Sequence, residues 1–143
     1  MTAETNKGLT RQFMERAFNE GDLTIVDDAL VQDGIDHQEP LGTNFATHLK
    51  AVITMLRTAF PDLHFETHDM LAEGDLVAFR STMTGTHRGP FQGLLPTGKP
   101  VSVAHMHFVH YVDGKTSDLW HVWDMAGLMR QLGAAAAPRP QAV

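Results

Sequence analysis

The chain has 143 residues, 43% of them hydrophobic, which suits one globular domain able to bury a core of its own. A formal charge of -6, with only 11 Lys and Arg scattered along the sequence, offers no basic stripe for a row of phosphates, so a nucleic-acid partner is not expected. The absence of cysteine excludes disulfides, thiolate nucleophiles and cysteine-ligated zinc.

Met1 to Thr5 carry neither a basic nor an apolar signal region, and no window approaches the apolar length of a bilayer span. The expectation is a cytoplasmic protein with no membrane partner. From Glu4 to Glu20, Leu9, Phe13, Met14, Ala17 and Phe18 recur at three- and four-residue spacing, the stripe of an amphipathic helix that Gly21 can end. Asp22 is placed to cap a short second helix carrying Leu23, Val26, Ala29 and Leu30, broken by Gly34. Ile35, Asp36 and His37 form too short a segment to assign. Thr43 and Asn44 can both cap a third helix that buries Phe45, Leu49, Val52, Ile53, Leu56 and Phe60 and stops at Pro61.

After Pro61 the period changes to two. Leu63, Phe65, Thr67 and Leu71 alternate with His64, Glu66 and His68, and Glu73-Gly74-Asp75 turns into a strand over 76–86. The stretch from Arg88 to Gly98 is rich in turn formers yet holds Phe91, Leu94 and Leu95, as a loop over a pocket would. A strand from Val101 to Val112 turns at Asp113-Gly114 into another over 116–123, and Asp124 opens a last helix ending near Gly133. Residues 134–143, rich in Ala and Pro, read as a disordered tail after a single domain over 1–133.

Helices first and a meander of strands afterwards predict an α+β domain with helices on one face of a curved antiparallel sheet. In the strand from Val101, one parity gives Val101, Val103, His105, His107, Val109 and Tyr111, and the other gives Ser102, Ala104, Met106, Phe108 and His110. Both faces carry apolar residues, so a second subunit is expected to cover the outer one as a homodimer.

Nine histidines make proton transfer near neutrality a natural chemistry to look for. His105 and His107, two apart in a strand, put both rings on one face, and a polar surface face is the alternative. His121 and Asp124 fall where the last strand passes into the last helix, although Asp124 can equally serve as a helix cap. Phe13, Leu56, Phe60, Phe79, Phe91, Leu95, Phe108 and Trp123 are candidates for an apolar substrate wall, with core packing as the alternative for those on helices. Arg80 reads as an anion ligand only if its parity points inward.

Several segments together carry a resemblance running nearly end to end. They are Phe18-Asn19-Glu20-Gly21-Asp22, Ala59-Phe60-Pro61-Asp62, Pro96-Thr97-Gly98-Lys99, His110 to Lys115, Trp120-His121-Val122-Trp123-Asp124, and Arg130-Gln131-Leu132-Gly133. On these the chain resembles the SnoaL-like polyketide cyclases and predicted ester cyclases, of the cystatin-like cone fold shared with nuclear transport factor and ketosteroid isomerase. The resemblance implies a cone-shaped α+β barrel and, as partner, a small aromatic polyketide of the anthracycline type. It also implies an aldol ring closure needing no cofactor and no metal. In such cyclases an aspartate on the last strand is the acid/base, helped by a histidine. By position the helper matches His107, its strand neighbour His105, a polar residue near the first helices His37, and the aspartate position falls on His121. His121 is then the expected base, His107 the acid or donor, and His105, His37 and Asp124 positioning groups, inside a wall of Phe13, Leu56, Phe60, Phe91, Leu95 and Trp123. Three alternatives stand beside this reading. They are hydroxylation of a polyketide, a metal held by His105 and His107 with His37, His121 or Asp124, and a non-catalytic binding module.

Overall fold

A computed structural model describes residues 2–134, so the tail expectation for 135–143 lies outside the described residues. The elements are α1 (Ala3–Phe13), continued by a π-helical turn (Met14–Asn19), α2 (Thr24–Ala29), β1 (Leu30–Asp36), α3 (Phe45–Ala59), β2 (His64–Glu73), β3 (Leu76–Thr86), β4 (Pro100–Val112), β5 (Lys115–Trp123) and α4 (Met125–Gln131). The strands form one five-stranded sheet in the order β1-β5-β4-β3-β2. β2 to β5 pair antiparallel in sequence order, while β1 runs parallel to β5. Helices segregated on one face of this curved sheet make the expected α+β cone, with the core between them.

Local chemistry places the helices. Thr2 caps α1 by accepting from Thr5 N–H, and Asn44, the better of the two caps expected, does the same for α3 through Thr47 N–H at 2.9 Å. The first helix is not uniform, because its last turn widens into the π form, with Glu20 N–H bonding back to Glu15 O.

Two strand expectations are corrected. The second helix ends at Ala29, and residues 30–36, including the supposed breaker Gly34, run on as β1. Gly34 has a positional reason, since a Cβ there would meet the Phe45 ring at 2.9 Å. In β2 an irregularity between Thr67 and Met70 shifts the register, so Met70 turns inward and Leu71 outward, opposite to simple alternation.

Candidate functional site

β4 carries the alternation that matters. Val101, Val103, His105, His107, Val109 and Tyr111 all face inward and are buried, as one parity of a strand beneath helices should be. Its neighbours set what these rings meet: Phe79 lies opposite His107 and Ser81 opposite His105 on β3, while His121 lies opposite His107 and Trp123 opposite His105 on β5. Between the sheet and helices α1 and α3 lies a cavity of about 370 Å³. Phe13, Met14, Phe18, Leu49, Val52, Leu56, Phe79 and Trp123 supply apolar wall, and Asp36, His105, His107 and His121 line it with polar groups.

The three imidazoles meet. His105 Nε2 lies 3.3 Å from His121 Nδ1, and the His105 and His107 rings stack with centroids 4.2 Å apart. The far face of His107 stacks on Phe79, also at 4.2 Å, and its Nε2 lies 3.1 Å from Ser81 Oγ. Burial and the neighbouring His121 push His105 down to about 3; burial and the rings of His105 and His121 push His107 down to about 2. Both rings are therefore neutral near neutrality.

A carboxylate joins them from a segment that sequence reasoning left unassigned. Asp36 ends β1 opposite Leu119 of β5, and its Oδ2 lies 3.1 Å from His121 Nε2. Burial alone would raise the Asp36 pKa, yet the His121 hydrogen bond, the Gln38 N–H bonded to Oδ1 and the nearby imidazoles outweigh it, and the carboxyl lies below its ordinary value. Ser81 is the other participant not foreseen. Asp36 is the last residue of β1 and His37 begins the turn after it, and the two adjacent side chains point to opposite sides of the sheet.

His37 is corrected on that ground. It points away from the cavity, stacks on Trp120 at 4.3 Å and bonds Asp118 Oδ1 at 2.9 Å. Asp124 is also outside the lining: its Oδ1 accepts from Gly127 N–H at 2.8 Å and caps α4. Phe60 and Phe91, expected in the substrate wall, pack on each other at 5.6 Å one layer behind it, and Phe91 backs Trp123 edge-on. Leu95 is 80% exposed, so it neither covers nor lines the cavity; the loop contributes Gln92 instead. Phe108 faces out from the sheet, and Arg80 is an exposed partner of Asp69 at 2.7 Å.

The metal alternative also changes. Among the described residues, none of His37, His121 and Asp124 completes with His105 and His107 a set whose ligand atoms all lie within 4.8 Å of one another. The side chains whose carboxylate oxygens and imidazole nitrogen converge within 4.8 Å, among the described residues, are Asp36, Glu39 and His48. Pairing within the protein accounts for that convergence, since His48 Nε2 bonds Glu39 at 2.9 Å and Asp36 bonds His121.

With histidines and a carboxylate gathered in an apolar cone, comparison with known proteins is decisive. Residues 8–132 match the SnoaL-like polyketide cyclase family. The chain belongs to this family. Its relatives include aklanonic acid methyl ester cyclase AcmA of Streptomyces galilaeus, 39% identical over 59 residues, a segment covering 41% of this chain and 41% of that protein. TsrD of Streptomyces laurentii has a similar structure, with a TM-score of 0.85 and 28% identity over 94% of this chain and 99% of that one. So has AclR of Streptomyces galilaeus, a proposed hydroxylase, with a TM-score of 0.82 and 30% identity over 96% of this chain and 91% of that one. In this chain position 121 is histidine, and the carboxylate bonded to it, Asp36, comes from the end of β1. Among the described residues, no helix is long and apolar enough to cross a membrane.

Proposed function

We propose that this SnoaL-like protein closes a ring in an aromatic polyketide ester by intramolecular aldol reaction, using acid–base groups of its own chain. The observation that carries the reading is the Asp36–His121 pair, 3.1 Å apart, set in the wall of a mostly apolar cavity. The pair takes a proton from carbon beside a carbonyl, the enolate attacks a second carbonyl, and the new alkoxide regains a proton. No electrons are lost or gained overall, so the reaction asks for no redox cofactor. His107, neutral and fixed between Phe79 and Ser81, is suited to bond a carbonyl oxygen as charge develops on it. The aromatic and aliphatic lining favours a fused-ring substrate, at roughly 25 cal/mol for each Å² of apolar surface taken from water.

The similarity to AclR supports a second reading, hydroxylation of such a polyketide. Aklanonic acid methyl ester, the substrate named for the relative AcmA, is the test compound. Ring closure predicts a product of unchanged mass formed without oxygen, and a loss of about a hundredfold or more in His121→Ala or Asp36→Ala. A product heavier by one oxygen atom, formed only in air, would replace this reading with hydroxylation. Binding without turnover, equal in wild type and His121→Ala, would make the protein a binding module.

A further inference from the structure

The hydrogen-bond directions in the histidine array bear on which member of the Asp36–His121 pair receives the proton, a question that rests on the acid–base reading above. Asp36 is ionised and can only accept, so the proton in its contact with His121 sits on Nε2 of the ring. A neutral His121 then presents a lone pair at Nδ1, and the 3.3 Å contact requires His105 to donate to it from Nε2. His105 is left with an unprotonated Nδ1, which is buried and has no partner among the described residues. The chain of donors thus runs in one direction, from His105 through His121 to Asp36, and ends blind.

That polarity works against His121 as the base. A second proton on His121 would occupy Nδ1, where His105 Nε2–H already points. To accommodate it, His105 would have to move its own proton to Nδ1 and hold a buried N–H with no acceptor. Asp36 meets no such obstacle. A carboxylate offers about four lone-pair sites, and among the described residues only Gln38 N–H and His121 Nε2–H occupy them. Its side chain also lines the cavity.

We propose that the Asp36 carboxylate is the catalytic base, and that His121 is a positioning residue that donates to it from Nε2. In the step, a substrate C–H bond breaks, its electron pair passes into the enolate, and an O–H bond forms on Asp36. After carbon–carbon bond formation the same proton goes to the alkoxide oxygen, and the carboxylate is restored. The other groups facing Asp36 are His48 on α3 and Glu39 just after β1, which are bonded to each other.

The test uses 2-tetralone, a fused-ring aromatic ketone, whose exchange of the C–H beside the carbonyl for deuterium in D2O is read by NMR. Asp36→Asn, nearly isosteric, is expected to lose about a hundredfold or more in rate. His121→Gln keeps an amide N–H at the reach of Nε2 and is expected to lose less than about tenfold. In ¹⁵N spectra at neutral pH, His105 and His121 should both be protonated on Nε2 alone, and Asp36→Asn should disturb that pattern.

His121→Gln as inactive as Asp36→Asn, or His105 protonated on Nδ1, would overturn the assignment. If 2-tetralone exchanges as described but aklanonic acid methyl ester is not cyclised, the ring-closure reading fails and the base assignment stands. Wild-type protein no faster than buffer defeats both.

Discussion

His107 is held between two rings, Phe79 and His105, each with its centroid 4.2 Å away. Packing of this kind removes water from both imidazoles and keeps them neutral in the folded chain until well below the ordinary imidazole range. Their pKa values fall to about 2 and about 3, from 6.5 for an ordinary histidine.

That difference makes stability depend on pH, with a definite sign. Between the folded values and 6.5, the unfolded chain binds protons that the folded chain refuses, so stability rises with pH across that window. It is fully present above about 6.5 and is lost on acidification at up to about 1.4 kcal/mol per pH unit for each histidine. The lowered Asp36 carboxyl adds a smaller loss only below the ordinary carboxylate range. Urea midpoints measured from pH 8 to pH 4 should fall steeply below 6.5, and the slope should shrink in His105→Phe and His107→Phe. A flat profile in wild type would show that the rings are charged or solvated.

Ser81 is almost fully buried, and its hydroxyl meets His107 Nε2 at 3.1 Å. Removing that oxygen strands a buried ring nitrogen, which costs about 1–3 kcal/mol. Ser81→Ala should therefore lower stability by that order in equilibrium unfolding and slow deuterium exchange of 2-tetralone. Ser81→Thr, which keeps the hydroxyl, should recover part of both. Equal effects from the two variants would assign the residue to packing alone.

The inward face of β4 can be read directly from sequence, because burial under helices forces apolar alternation and makes two histidines on that parity conspicuous. The stripe of α3 is legible for a similar reason, with Asn44 and Pro61 marking its ends. Asp36 is not legible in this way. β1 is a seven-residue strand whose pairing partner lies some eighty positions later, Gly34 imitates a helix breaker, and which of Asp36 and His37 faces inward depends on register with β5. Leu71 fails likewise, since a local irregularity in β2 reverses the parity without a mark in composition. Side chains such as Phe60 and Phe91 show a further limit, because periodicity identifies burial but not the layer in which a ring is buried.

On the outer face of the sheet, Met106 lies opposite Val122 and Phe108 opposite Trp120. All four are exposed, Met106 by 58% and Phe108 by 53%, and together they form an apolar patch that water covers in a single chain. A second copy placed sheet to sheet is the expected cover. Light scattering on the eluting wild-type protein should give twice the chain mass, and Phe108→Glu should give monomer or insoluble protein. A monomeric wild type would leave the patch to another partner.

Asp124 and His37 provide the contrast that tests the boundary of the site. Asp124 caps α4 through Gly127 N–H, and a Cβ at Gly127 would lie 2.1 Å from Asp124 Oδ2, so the carboxylate is packed tightly into that turn. Loss of the cap in Asp124→Ala should cost about 1 kcal/mol of stability. His37 sits on the outer face between Trp120 and Asp118, where His37→Gln removes an exposed contact worth less than about 1 kcal/mol. Neither variant reaches the cavity, so both should exchange 2-tetralone at the wild-type rate once corrected for folded fraction. A tenfold loss in either would mean that the functional cluster extends through the sheet or along its end, beyond Asp36, His105, His107 and His121.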